Sequence, residues 1–255
     1  MQIQQRIIVI LLVFCLHHAV QAQRVSVLSY NIHIAQDVQN KDQLKPMAEW
    51  IKTADASLIG LQEVDSVCNR SGKVDQLAQL KQITGMHGVF SRHFAFDGGA
   101  YGLAVLSRYP IDSVHHDRIS LQSMGKQETR ALLVVFVTVN KQPLAFATVH
   151  LDYRDAASRQ QQAKEIVQQF SSYTMPVILT GDMNAEPKTA AIDVLCSVFQ
   201  DCTQDHALTY PVEKPTKKID YVFVQKHAVK KIHSATVLPQ IFSDHLPVMA
   251  TIRLK

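Results

Sequence analysis

Cysteine is scarce in this 255-residue sequence, with four in all: Cys15, Cys68, Cys196 and Cys202. That is too few for a disulfide framework, and their spacing matches no zinc-binding set. Glycine and proline, nine each, are too sparse for a collagen-like or low-complexity chain. No stretch is rich enough in Pro, Ser or Gly to serve as an interdomain linker, and no internal repeat is visible. Charge of one sign is lacking too. The 26 Lys and Arg face 22 Asp and Glu, and a formal +4 does not by itself announce a nucleic-acid partner. No serine sits in a nucleophile elbow. The apolar run from Ile7 to Leu16 is too short to span a bilayer.

What is present is globular composition, 47% apolar and 19% charged, on a chain long enough to bury a large core. The first 22 residues read as a secretory signal: Arg6 opens it, Ile7–Leu16 is its apolar segment, and Val20 and Ala22 fit a small-residue cleavage site. Export is therefore expected, to a periplasm or the cell exterior, with residues 23–255 as the working domain. A buried N-terminal helix fits the pattern less well. Arg6 is the only charge lost with the segment, and Cys15 leaves with it. Cys196 and Cys202 then either close a small loop in an oxidising compartment or remain buried thiols.

Strand-like apolar runs occur at Val25–Tyr30, Leu58–Leu61, Gly102–Leu106, Ala131–Val139, Leu144–Val149, Val177–Leu179, Tyr221–Val224 and Val248–Ile252. The fourth and fifth, joined at Asn140–Pro143, read as a hairpin. Helical spacing links Leu44, Met47, Ala48 and Ile51 behind Asp42 as N-cap; Ala163, Ile166, Val167 and Phe170; and Ile192, Leu195, Cys196 and Phe199. Strands alternating with helices, interrupted by hairpins, predict one α/β domain of mixed sheets covered by helices.

Polar residues gather where the apolar strands end: Tyr30-Asn31, Gln62-Glu63, His150, Gly181-Asp182-Met183-Asn184, and Ser243-Asp244-His245 before the last strand. A sheet fixes such residues while loops give access to them. Glu63, Asp182 and Asp244, with the amide oxygens of Asn31 and Asn184, are hard donors that suit Mg²⁺, Mn²⁺ or Ca²⁺. His150 and His245 can transfer protons or bond a developing oxyanion near neutral pH. Carboxylates, a hard cation and two imidazoles suit attack of an activated water on a phosphate ester. Taken one at a time, each residue has a plain structural reading: Asp182 and Asn184 as turn formers, Asp220 as a surface partner of Lys217 or Lys218.

Eight blocks in order carry a resemblance. They are Ser29-Tyr30-Asn31-Ile32-His33, Leu61-Gln62-Glu63-Val64-Asp65, Tyr101-Gly102 through Leu106-Ser107-Arg108-Tyr109-Pro110-Ile111, and Glu128-Thr129-Arg130. Then come Thr148-Val149-His150-Leu151-Asp152, Gly181-Asp182-Met183-Asn184-Ala185-Glu186-Pro187, Lys218-Ile219-Asp220-Tyr221 and Ser243-Asp244-His245-Leu246-Pro247-Val248. On these the chain resembles the endonuclease/exonuclease/phosphatase superfamily; with the signal segment, Thr209-Tyr210-Pro211 and Pro215-Thr216-Lys217-Lys218-Ile219-Asp220 look most like its small exported bacterial hydrolases. The resemblance implies a four-layer sandwich of two mixed β-sheets flanked by helices, with the site at one end. It implies Glu63 as the main ligand of Mg²⁺ or Mn²⁺, helped by Asn31 and Asp244, with the number of ions left open. Asp182 would orient or deprotonate the water, and Asn184 would hold the water or the phosphate. His245, its ring fixed by Asp220, would stabilise the phosphorane or transfer a proton. His150 would serve another phosphate oxygen or the leaving group, and Arg130 would contact the phosphate.

Two positions depart from the family pattern: His33 stands where the apurinic endonuclease branch has an acidic residue, and Leu103 where many relatives carry Asn. The expected activity is that of an exported metal-dependent phosphoesterase, a monomer, acting on a small or lipid-linked phosphate ester. A secreted nuclease is the alternative, and a non-catalytic binding module on the same fold is disfavoured because Glu63, Asp182 and His245 are all present. Nucleic acid is the less favoured partner: Lys214, Lys217, Lys218, Lys226, Lys230 and Lys231 form the one dense basic region, without an aromatic ladder to stack bases.

Overall fold

The computed structural model describes residues 24–123 and 126–255, so the expected signal segment, residues 1–22, lies outside the described residues. The first sheet holds β1 (Arg24–Asn31), β2 (Leu58–Ser66), β3 (His87–Phe96), β4 (Gly99–Ser107), β11 (Val229–Val237) and β12 (Val248–Leu254), in the order β11-β12-β1-β2-β4-β3. The second holds β5 (Ile111–Ser123), β6 (Lys126–Val139), β7 (Gln142–His150), β8 (Val177–Asp182), β9 (Phe199–Asp201) and β10 (Asp220–Gln225), in the order β5-β6-β7-β8-β10-β9. Each sheet is antiparallel except at its centre, where β1 lies parallel to β2 and β7 parallel to β8. A parallel pair needs a crossover. These are supplied by α1 (Leu44–Thr53) and α3 (Ala156–Ser171); α2 (Gln76–Thr84) and α4 (Ala190–Val198) lie beside them.

Three apolar clusters separate four layers. Val27, Leu58 and Val105 of the first sheet meet Leu133, Phe146 and Val222 of the second. The outer face of the first sheet buries Leu28, Ile59 and Leu61 against Leu44, Met47, Ala48 and Ile51 of α1. The outer face of the second buries Ala147, Val149 and Leu179 against Ala163, Ile166 and Phe170 of α3 and Leu195 of α4. The central strands are thus covered on both faces, which is why they read as continuous apolar runs. Each fully buried Leu or Phe contributes about 1.5–3 kcal/mol of transfer free energy. This is the expected sandwich.

Local details adjust the sequence reading. Helix α1 starts at Leu44, and Asp42 accepts from the Leu44 amide (2.9 Å) although Gln43 holds the cap position itself. Phe199 does not continue α4 but ends it and opens β9. Leu103 is fully buried between the sheets, so the departure there serves packing. Cys68, Cys196 and Cys202 are all unbridged. Lys218 leaves the expected basic region: it is buried and paired with Asp201. Among the described residues no helix is long and apolar enough to cross a membrane.

Two glycines let the layers close over the site. A Cβ on Gly60 of β2 would meet the hydroxyls of Thr180 and Thr148 in the opposite sheet at 2.1 and 2.7 Å. A Cβ on Gly181 would lie 2.3 Å from the Val149 carbonyl of the neighbouring strand, which backbone cannot yield. Just beyond Gly60, Gln62 donates across the sheets to Thr148 (2.8 Å).

Candidate active site

Strand register assembles the polar residues at one end of the sandwich. In the second sheet Asp182 pairs with His150 of β7 on one side and with Asp220 of β10 on the other, so the three form a row. In the first sheet Asn31 lies beside Gln62, which brings it to Glu63. Glu63 has a left-handed backbone (φ 57°) at a bulge where the β2–β4 register slips between Leu61 and Val64. A bulge bends a strand and re-aims a side chain, and a non-glycine residue holds this conformation only when its surroundings enforce it. His33 (φ 45°) and Asn184 (φ 46°) share that conformation. Three site residues thus sit on strained backbone.

Asp182 is where the site converges. The Asn31 side-chain nitrogen donates to its Oδ2 (3.0 Å) and to Glu63 Oε1 (3.0 Å). The Asn184 amide donates to Asp182 Oδ1 (2.8 Å). The Nε2 atoms of His150 and His245 lie 3.5 and 3.8 Å from Asp182 Oδ2. Burial, and after it the charge of Asp220, pushes the Asp182 carboxyl well above the usual carboxylate range.

His245 is gripped on several sides. Its Nδ1 donates to Asp220 Oδ2 (2.9 Å), an oxygen that also accepts from Thr209 Oγ1 (2.5 Å). Tyr210 packs on the ring with centroids 4.8 Å apart, and the His245 amide donates to Ser243 Oγ (3.2 Å). Burial disfavours the charged ring, but Asp220 and the other carboxylates outweigh it and raise the His245 pKa. His150 goes the other way: burial, then Arg130, hold its pKa well below the ordinary imidazole value. One imidazole is set up as a cation and the other as a neutral ring. Asp220, read from sequence either as a surface partner of lysine or as the residue that fixes His245, does the latter.

Arg130 is buried beside Asp152 (Nη2 to Oδ1, 3.6 Å), and its Nε has no hydrogen-bond partner among the described residues. Asn184 lines the cleft while its side-chain nitrogen donates to the Leu151 carbonyl (3.1 Å). Asp244 is half-buried, 4.0 Å from His245 Nε2 and 3.9 Å from His33 Nδ1. All the residues expected from sequence therefore reach this end of the fold. Residues to which the sequence reading gave no role in the site are Asp152 beside Arg130, Thr209 and Tyr210 around His245, and His93, whose ring centroid lies 6.3 Å from that of His150. Asp152 is two positions after His150 in the same sequence block and lines the same cleft, a signal that was available.

The donor set fits a hard divalent cation. Glu63, Asp182 and Asp244 line an open cleft of about 1270 Å³ in which no cysteine takes part. Carboxylates without thiols suit Mg²⁺ or Mn²⁺, and an anionic phosphate would be repelled by them unless a cation intervened. The tightest group of potential ligand atoms among the described residues is a different one: Asp182, Asp220 and His245, within 4.8 Å of one another. Asp220 and His245 are bonded to each other, which suits that group to proton handling. Asn31 turns its nitrogen to the carboxylates, and its oxygen accepts from the His33 amide (3.0 Å).

Comparison with known proteins agrees with this architecture. The sequence profile of the Endonuclease/Exonuclease/phosphatase family matches residues 28–245. The chain is 26% identical to the uncharacterized protein YbhP of Escherichia coli K12 over 247 residues, covering 89% of this chain and 96% of that one. Among solved structures, an endonuclease/exonuclease/phosphatase family protein from Leptotrichia buccalis superposes with a TM-score of 0.74 at 19% identity, covering 90% of this chain and 99% of that one. The mannosyl-6-phosphatase Bt3783 of Bacteroides thetaiotaomicron superposes with a TM-score of 0.71 at 18% identity, covering 89% and 99%. At these identities the structural matches speak to the fold.

Proposed function

Since the chain belongs to the Endonuclease/Exonuclease/phosphatase family, whose members hydrolyse phosphoester bonds and generally depend on a divalent metal, we propose that it is an exported phosphoesterase acting on a small or lipid-linked phosphate ester. The observation that carries the reading is the convergence on Asp182 Oδ2 of Asn31 at 3.0 Å and the two histidines at 3.5 and 3.8 Å, in a cleft open to solvent. Asp182, held at both oxygens, orients the attacking water and takes its proton. His245, kept cationic by Asp220, stabilises the charge that builds on the phosphoryl oxygens. Neutral His150 bonds another oxygen or the leaving group, Arg130 binds the phosphate, and Asn184 helps to hold the water or the phosphate. Glu63 and Asp244 would hold Mg²⁺ or Mn²⁺, with Asn31 joining them once its oxygen turned from the His33 amide. The ion would supply charge neutralisation at the phosphate. Residues 1–22, read as a secretory signal, support export, and the phosphatase Bt3783 on the same fold is in keeping with a small substrate.

The nuclease alternative makes a different demand on the surface. Lys226, Lys230 and Lys231 lie at the far end of β10 and the start of β11, whereas the site is at the Asp220 end. Only a long polyanion would touch both. We expect kcat/KM on a small phosphate ester to change by about twofold or less between low and moderate salt, and duplex DNA to be a poor substrate. Reversal of the three lysines to Glu should leave the small-ester activity intact. Fast DNA cleavage that falls steeply with salt, and that the triple reversal removes, would establish the nuclease instead.

A further inference from the structure

Of the six most exposed large apolar side chains described, three are aromatic, namely Phe94, Phe96 and Tyr153, and all three line the cleft. Phe94 and Phe96 are 45% and 40% exposed, which costs solvation and calls for a reason. A series of rings connects them to the catalytic row: from His150 to His93 the centroids are 6.3 Å apart, from His93 to Tyr101 5.8 Å, from Tyr101 to Phe94 5.5 Å, and from Phe94 to Phe96 6.2 Å.

The wall they make is uncharged in effect. The Arg70 guanidinium lies over Phe96 (4.5 Å) and Tyr101 (5.3 Å), but its Nε and Nη2 form a two-pronged bond to the buried Asp65 carboxylate at 2.8 and 2.7 Å. A cation so neutralised stiffens the ring stack and does not offer a second phosphate site. The wall is also held in place. Arg118 donates to the carbonyls of Arg92 and His93 on β3 and of Thr129 on β6, tying the strand that carries the phenylalanines to the second sheet. At the other end the Arg70 amide donates to Asp97 (2.7 Å) in the turn after Phe96. A rigid apolar surface binds without an ordering cost.

We propose that Phe94 and Phe96 form a subsite for an uncharged aromatic ring carried by the alcohol of the phosphate ester. The wall lies on the His150 side of the row, so the ring belongs to the group that leaves. This rests on the phosphoesterase reading for its orientation only.

Titration calorimetry of the full chain in Mg²⁺ tests it, with 2-phenylethylphosphonate and propylphosphonate as probes. The heads match, and the ring is the difference. The ring-bearing probe should bind about tenfold more tightly. F94A/F96A should bring the ratio near one, while Ile241→Ala, an exposed apolar residue outside the cleft, should leave it at tenfold. Equal affinities in the unaltered protein, weak binding of both probes, or a preference that survives in F94A/F96A would overturn the subsite. A cyclohexylethyl phosphonate bound as tightly as the phenyl one would overturn its aromatic character. A ring preference together with no turnover of any ester offered, with 2-phenylethyl phosphate and its methyl diester among them, would leave the subsite standing and remove the phosphoesterase reading.

Discussion

Asp220→Asn and His245→Ala should each lower kcat/KM by about 10²–10³-fold, and the double variant should fall hardly further than the worse single one. The reason is geometric. Asp220 is buried, and its Oδ2 is committed to His245 Nδ1 at 2.9 Å and to Thr209 Oγ1 at 2.5 Å. Its hydrogen-bonded route to the reacting atoms runs through the ring it charges and orients. Asn keeps the shape but not the charge, so it tests the electrostatic part. Steady-state kinetics on one ester, with the four proteins compared at a single metal concentration, gives the coupling. Clean multiplication of the two losses would mean that Asp220 does not work through His245.

Asp182→Asn should have the largest effect of any single substitution, a loss of about 10³–10⁴-fold in kcat with a smaller change in KM. The amide can still accept from the Asn184 backbone, a bond now 2.8 Å long, but it cannot take a proton from water. The same substitution should stabilise the metal-free protein. Asp182 and Asp220 are buried carboxylates on paired positions, and removing one charge relieves their repulsion. Relief of about 1 kcal/mol would raise the thermal midpoint by about 2–4 °C. Activity lost with stability gained marks a residue kept for chemistry; a loss of both would mark a structural one.

The strands that the sequence revealed and those it hid differ in one physical respect. All eight apolar runs became interior strands. The four strands with no such run, β3, β5, β9 and β11, are the four edges of the two sheets. An edge strand is solvated along one side and partly on its faces: β3 and β11 carry exposed or half-buried residues at most positions. Their sequences, such as His87–Phe96, therefore lack the continuous apolar signature. Helix α2 was hidden for a similar reason, with only Gln76, Leu77 and Leu80 buried.

The site divides the same way. Asn31, Glu63, His150 and Asp182 were legible because they fall at or near strand ends, where a polar residue interrupts an apolar run; the role of Asp220, at the start of β10, came only with the family resemblance. Thr209 and Tyr210 stand in a loop, where the sequence marked a motif without a role, and Phe94 and Phe96 on an edge strand, where aromatic residues raise no contrast. The basic region illustrates the converse: six lysines close in sequence separate in space, with Lys217 lining the cleft, Lys218 buried against Asp201, and Lys226 beyond the far end of β10.

The central claim is that this site hydrolyses a phosphate ester with the help of a hard cation held at Glu63. The most direct measurement is phosphate-ester turnover by the purified protein in excess chelator, then with Mg²⁺ or Mn²⁺ restored, for the unaltered chain and for Glu63→Gln. The account predicts no turnover in chelator, recovery on adding the metal, and a metal concentration for half activity at least about tenfold higher in Glu63→Gln, because a charged hard ligand has been replaced by a neutral one. Full activity in excess chelator, or the same metal requirement in both proteins, would contradict it.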